Sequence, residues 1–433
     1  MKLARILSCA AAAALAAINI AGGMKFSVKA LSEYDIGTLK EKGQIKIIGR
    51  CDISGNMMSA PWSGCGFEMR VNAAGGKFAV NIVTSEEKVY FAVFVDGKPL
   101  DRGEPVTQQN TKLQFDLPAG EHTVKVVRDT QISKTGVLYI LGMDFNGEVL
   151  EAPEEKDMYI EVVGDSIACG LGALGTYKQG EVWKQPEEDS AVSSFAYRTA
   201  EALDADLSIV ARGGIGLYKV SSGSQEATES TKLSMQEVYP YKNGFTAADT
   251  EEDKYSFERK PDLILLELGA NDDTKNESRW KEELTGFVQM LREKNGDTVP
   301  IVWVGKNEQH YNTALLAKRT DLKDDKNFYA FRYAYGGSGS AALATQTAGH
   351  PSAAEQQEFA DKIVNFLKEN NIDKPSENVE NTGIGTAADS GKTGLQKSTL
   401  IKIGAAAGAV AAAAAVTGII AAKRKKKNKK LPD

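Results

Sequence analysis

Across 433 residues there are only four cysteines and three histidines. So few ligating side chains argue against a structural zinc cluster, and four cysteines scattered over a chain of this length do not make a disulfide framework. There is no basic excess either. Lys and Arg number 52 against 58 Asp and Glu, a net charge of -6, which leaves no electrostatic footprint for a nucleic-acid partner. The pentapeptide GxSxG that marks the α/β-hydrolase elbow does not occur at a strand end of the chain's second half. What the chain does have is ordinary: 42% hydrophobic and 25% charged residues, enough to build a core in each of two or three domains.

Charge is unevenly spread. Seven basic residues crowd between Lys423 and Lys430, so the remainder is distinctly acidic. Before them, Ile403 to Ala422 are twenty residues without a charge. At ~1.5 Å rise per residue such a run crosses a ~30 Å hydrocarbon core, and a basic block behind it is the positive-inside stop signal. At the other end Lys2 and Arg5 precede an apolar run from Ile6 to Ala21, with Ala21 and Gly23 suiting a cleavage site before Met24. Leu7-Ser8-Cys9 is faintly lipobox-like, but too few residues precede Cys9 for a complete signal. Thr382-Gly383 and Thr393-Gly394 lack the Leu-Pro that a wall-sorting motif requires. The expected division is a signal peptide (1–23), a β-sandwich (24–152), an α/β domain (153–372), a flexible linker (373–402), one transmembrane helix (403–422) and a basic cytoplasmic tail (423–433). That places the folded part on the extracellular face of the cell membrane.

Between Ile45 and Leu150 the pattern alternates as strands do, in KFAVNIV, VYFAVFV, KLQFDL, HTVKVV and VLYIL. Asp96-Gly97, Ala119-Gly120 and Asn146-Gly147 read as turns, and many short antiparallel strands predict a sandwich. Its aromatics, Trp62 among them, either line a sugar-binding face or pack the core. After Pro153 the period changes. Tyr159–Val163, Leu207–Ala211, Leu263–Leu268 and Ile301–Val304 are short, almost continuously apolar runs, with helical stretches such as Ser194–Leu203 and Trp280–Leu291 between them. Such alternation predicts a parallel sheet covered on both faces, with its ligand crevice beyond the carboxyl ends of the strands.

Those strand ends carry the chemistry. The first run is followed by Gly164-Asp165-Ser166-Ile167, the second by Arg212-Gly213-Gly214-Ile215-Gly216 and the third by Gly269-Ala270-Asn271-Asp272. Late in the domain stands Gly349-His350-Pro351, before a capping box of Ser352 and Glu355 and a helix with Phe359, Ile363, Phe366 and Leu367 on one face. Each block has a plain alternative: Ser166 as a helix N-cap, the glycines as a turn, Asn271-Asp272 as a loop. His122 begins a β-domain strand and reads as structural; His310, after the fourth run, is the competing base. Gly170, Gly172 and Gly175 match GxGxxG, but Gly170 lies too far beyond the strand for a dinucleotide turn. Cys169 needs a thiolate-stabilising site to act as a nucleophile, and small-residue packing is the alternative. Cys51 and Cys65 are close enough in sequence to pair within the sandwich.

In this order, the four blocks resemble the SGNH (GDS-type) hydrolases. The resemblance implies Ser166 as nucleophile and His350 as general base. It also implies an oxyanion hole made by the backbone N–H groups of Ser166 and Gly214 and the side chain of Asn271. A serine hydroxyl needs a base near neutrality, and the tetrahedral oxyanion needs preorganised donors, so the residue types suit acyl transfer. Most of the superfamily carries an Asp three residues before the His; here that position is Thr347. A carbonyl or a remote carboxylate then orients the ring, or the site works as a dyad. Domain order narrows the resemblance. A sandwich with Gly49-Arg50 and Trp62-Ser63-Gly64-Cys65-Gly66, then GDSI and Ala168-Cys169-Gly170, resembles the second carbohydrate-esterase family. Its members pair a jelly roll with an SGNH domain, remove O-acetyl groups from polysaccharides and in some cases use a dyad. The resemblance implies an acetylated polysaccharide or oligosaccharide as substrate, and no metal or organic cofactor. The competing class is a non-catalytic surface carbohydrate-binding or adhesion protein on a decayed scaffold.

Overall fold

Strands with one apolar face pair antiparallel, whereas strands apolar on both faces need cover above and below and pair parallel. Both kinds occur in this chain, in that order. The computed structural model describes residues 34–131, 138–175, 185–218, 233–244, 253–272, 276–305, 307–333 and 350–375. The signal segment, linker residues 376–402, the apolar run 403–422 and the basic tail lie outside the described residues. Among the described residues no helix is long and apolar enough to cross a membrane.

Ten strands form one continuous antiparallel sheet. Its spine is a pair of long strands, β1 (Gly66–Thr84) and β3 (Lys112–Arg128), paired along most of their length. Between them in sequence, β2 (Phe91–Val95) pairs with the end of β3; after them, β4 (Leu138–Asp144) pairs with the end of β1. The turn expected at Ala119-Gly120 is therefore a bend inside β3, and KLQFDL and HTVKVV are two halves of one strand. Ala119 and Gly120 face Ala74 and Ala73, next to Gly75 and Gly76 with φ +89° and +116°. Small residues opposite one another let both strands bend at the same place, which mimics a hairpin signal in the sequence. Asp96-Gly97 does make a hairpin, both residues having positive φ as a type I′ turn demands. Trp62 lines no open face. It is 1% exposed, and its indole N–H donates to the carbonyl of Lys242 at 2.8 Å.

The parallel sheet has five strands: β5 (Met158–Gly164), β6 (Ala205–Ala211), β7 (Leu263–Glu267), β8 (Ile301–Gly305) and β9 (Phe328–Arg332). Their spatial order is β6-β5-β7-β8-β9. Helices α1 (Phe195–Ala202), α2 (Glu277–Asn295), α3 (Glu308–Arg319) and α4 (Ala353–Glu369) connect or cover them. The first connection runs to one side of β5 and the next returns to its other side. Such a reversal leaves a crevice above the carboxyl ends of β5 and β7.

Every residue of β5 is buried, including Glu161 in its middle. A buried carboxylate needs a partner, and it comes from the other sheet. Arg50, 1% exposed, donates to both Glu161 oxygens at 2.9–3.1 Å and to the carbonyl of Tyr239 at 2.6 Å. Its guanidinium lies 4.3–4.9 Å from the ring centres of Tyr239, Tyr255 and Phe257. Burial opposes its charge, but Glu161 and the tyrosines outweigh burial and the group stays protonated. Tyr239 also donates to Glu161 at 2.7 Å. Glu161→Gln removes the countercharge and leaves Arg50 buried. Urea unfolding should show a loss of about 3–5 kcal/mol, and the paired replacement Arg50→Met with Glu161→Leu should recover most of it.

Candidate active site

Three adjacent strands deliver three of the four sequence blocks to one edge. β5 ends at Gly164, where a Cβ would meet that of Ala168 at 2.6 Å, so the chain turns there only because the side chain is missing. Residues 165–174 are turns rather than a helix, and Ser166 is no N-cap. Asp165 holds the turn: Oδ1 accepts the N–H of Ile167 at 3.0 Å, and the backbone closes through Cys169 N–H to Asp165 O and Leu171 N–H to Ser166 O. Ser166 itself is 9% exposed. Gly170, at φ +69°, passes so close to Ser190 that a Cβ would sit 1.9 Å from its carbonyl oxygen. The GxGxxG segment is thus part of the turn beneath Ser166.

His350 arrives from the far end of the domain. Nε2 lies 2.7 Å from Ser166 Oγ. The helix behind it is fixed twice. Ser352 and Glu355 form the expected reciprocal cap, and Ala353 N–H donates to Ala173 O at 2.8 Å. Fully buried Gln356 then spans the gap, its amide donating to Ile167 O at 3.0 Å and accepting from Phe195 N–H at 2.8 Å. Thr347 lies outside the described residues. His310 is placed elsewhere: 3% exposed in the first turn of α3, its ring is 5.7 Å from that of Trp280 and lies beneath Gly269. His122 bonds Asp96 at 2.8 Å at the β2 hairpin.

The loop after β6 carries Gly214 at φ +76°. Asn271, from the end of β7, reaches across to it. Its Nδ2 donates to the carbonyl of Ile215 at 2.8 Å and to Asp165 Oδ2 at 3.3 Å. Asp272 accepts the N–H groups of Leu217 and Tyr218 at 2.7 and 3.0 Å. The loop is therefore held from both sides. Among the described residues the N–H groups of Ser166 and Gly214 make no hydrogen bond and remain available as donors. One amide proton of Asn271 is firmly engaged with Ile215; the longer bond to Asp165 is the one a stronger acceptor can replace.

Cys169 is buried beneath this turn, and burial pushes its thiol pKa far up. A thiolate nucleophile is excluded there at neutral pH. Cys51 and Cys65 are free thiols, and Cys51 Sγ donates to the carbonyl of Ile48 at 3.3 Å. Three residues that bear on the site escaped the sequence reading: Gln356, Gln131 and Asp129. Each is a lone polar residue whose partner is distant in the chain, so no local spacing announces it.

Residues 47–153 match the family model described as carbohydrate esterase 2 N-terminal. Over 248 residues the chain is 29% identical to the cellulase/esterase CelE of Acetivibrio thermocellus, which covers 57% of this chain but only 28% of that protein. It is 24% identical to an acetylxylan esterase / glucomannan deacetylase of Cellvibrio japonicus, over 75% of this chain and 88% of that enzyme. Among solved structures, a family two carbohydrate esterase from Clostridium thermocellum, in complex with cellohexaose, superposes with a TM-score of 0.64. That match covers 75% of this chain and 98% of the other at 23% identity. The resemblance read from the motifs is thus matched by independent relatives, and the two-domain fold with one antiparallel and one parallel sheet is that of family two carbohydrate esterases.

Gln356→Ala leaves the buried N–H of Phe195 without its partner, at about 1–3 kcal/mol, and takes from Ile167 O one of its two hydrogen bonds, the other being from Gly170 N–H. Beyond the lower unfolding midpoint, turnover of a chromogenic acetate ester should fall roughly 10–100-fold, because the helix carrying His350 loses its tie to the turn carrying Ser166.

Proposed function

We propose that the chain is a serine esterase that removes O-acetyl groups from a carbohydrate. The observation that carries this reading is the 2.7 Å contact between Ser166 Oγ and His350 Nε2, beside two backbone N–H groups that are unengaged among the described residues, at one edge of the sheet. The names of the relatives support the same chemistry, acetylxylan esterase and glucomannan deacetylase among them.

In this reading Ser166 attacks the acetyl carbonyl while its proton passes to His350 Nε2. The oxyanion is received by the N–H groups of Ser166 and Gly214. Asn271 turns one amide proton from Asp165 toward it as negative charge develops. His350 then protonates the departing sugar oxygen, and water repeats the cycle on the acetyl-serine. The substrate class is an acetylated polysaccharide or its oligosaccharides. A structural relative was solved with cellohexaose, which makes β-linked glucan, glucomannan and xylan backbones the first to screen. The bent ten-stranded sheet supports the jelly-roll description of the N-terminal domain. The apolar run 403–422 with its basic tail, and the N-terminal apolar run, support an enzyme secreted and held at the outer face of the membrane.

Ser166→Ala should lower turnover of acetylated xylan and of aryl acetates at least ~10³-fold without unfolding the protein, since only the oxyanion donors and binding would remain. A folded variant with near-normal rate would leave the non-catalytic carbohydrate-binding reading in possession of the site if glycan binding persisted and hydrolysis in both proteins proved to be background.

A further inference from the structure

The antiparallel domain does more than pack against the parallel sheet. Where β3 ends, residues Arg128 to Gln131 run over to the catalytic edge, and buried polar contacts fix every step. Fully buried Arg128 donates to both oxygens of Glu86 at 2.7 and 2.9 Å, to Thr130 O at 2.7 Å and to Gln131 O at 2.8 Å. Asp129, 2% exposed, accepts from Ser190 Oγ at 3.0 Å and from Val192 N–H at 3.1 Å. The segment ends on the loop of Gly214: Gln131 Oε1 accepts the N–H of Gly213 at 2.8 Å. A Cβ at Gly213 would sit 2.8 Å from that oxygen and 3.0 Å from Leu171, so the loop fits against Gln131 only as glycine.

Two consecutive glycines are the freest stretch a backbone can have, and a donor mounted on them is poorly aimed unless something holds the preceding peptide. Arg212 anchors one side, its guanidinium bonded to the carbonyls of Gly244 and Leu233. Ile215 and Asn271 anchor the other. Between them, the N–H of Gly213 is held by Gln131, its one hydrogen-bond acceptor among the described residues. We infer that Gln131 is a positioning residue for ester hydrolysis: it fixes Gly213 so that the N–H of Gly214 faces the oxyanion before substrate arrives. This rests on the esterase reading of Ser166 and Gly214. The antiparallel domain thereby contributes to catalysis itself, and not only to binding or stability.

Because Gln131 acts through the backbone, its loss should fall on the transition state and not on ground-state binding. Gln131→Met keeps the volume and removes the acceptor. Its kinetics are measured with phenyl acetate and with acetylated xylo-oligosaccharide, alongside wild type and Ser166→Ala, and each protein is checked by circular dichroism. Losing a whole oxyanion donor costs about 10²–10³-fold in kcat, so mis-aiming one should cost about 10-fold or more, equally on both esters, with KM within about twofold. An unchanged kcat, a change confined to KM, or a loss seen only with the oligosaccharide would overturn the inference and make Gln131 a bystander or a sugar contact. If Ser166→Ala retains activity, it is the esterase reading of the site that fails. Should Gln131→Met not fold, amide hydrogen exchange in the wild-type protein decides. The Gly213 amide should be protected well above a solvated loop amide, and exchange at the free-loop rate would contradict its capture by Gln131.

Discussion

A guanidinium enclosed by three aromatic rings and a carboxylate in the middle of an interior parallel strand, β5, form the interaction on which the rest of this structure depends. Glu161 is buried away from solvent, and among the described residues the parallel domain offers it the hydroxyl of Tyr239; the full charge comes from Arg50, at the start of the antiparallel domain. Neither group is tolerable in the core without the other, so the two sheets fold as mutual conditions. Such a pair adds little net stability compared with apolar packing, but it fixes one docking. Glu161 is five residues before Ser166 on the same chain, so the register of the nucleophile turn is set by this contact.

From that docking the candidate site follows by adjacency. The order β6-β5-β7 places the loops of Gly214, Ser166 and Asn271 side by side. Each loop is then held by polar contacts that leave selected groups unspent: Asp165 and Asp272 take up loop N–H groups, while those of Ser166 and Gly214 have no partner among the described residues. Donors fixed in advance, in a site already low in water, need no reorganisation when charge develops. Asn271 is the partial exception, since its second proton must leave Asp165 to serve an oxyanion. Exchange of a 3.3 Å bond for a charged acceptor is favourable, and it is the one local rearrangement the proposed chemistry requires.

What was legible in the sequence was what is local. The alternating strands, the four apolar runs, the turn blocks after three of them and the capping box behind His350 are contiguous patterns; they pointed to both sheets, and the resemblance carried by the blocks implied the Ser166–His350 pair. Three features were not legible, each for a physical reason. β9 is mostly half-buried at the edge of the sheet, and its short aromatic run ends on a charge, so it stood out less than the aliphatic runs of the other four strands. The bend at Ala119-Gly120 has the composition of a turn, and only pairing with Ala74 and Ala73 distinguishes the two. The polar ties Arg50–Glu161, Gln131–Gly213 and Gln356–Ile167 join residues 111, 82 and 189 positions apart, so no spacing within one segment reports them.

Covalent trapping addresses the central claim most directly, that this domain-bridged edge is a serine hydrolase site with Ser166 as its nucleophile. The chain is incubated with an alkyl fluorophosphonate, digested and analysed by mass spectrometry. The account predicts one phosphonylated peptide, modified at Ser166, with labelling that tracks the loss of acetate-ester hydrolysis and disappears in His350→Ala. Hydrolysis that persists after exposure to the probe, or a label on a residue other than Ser166, would contradict it.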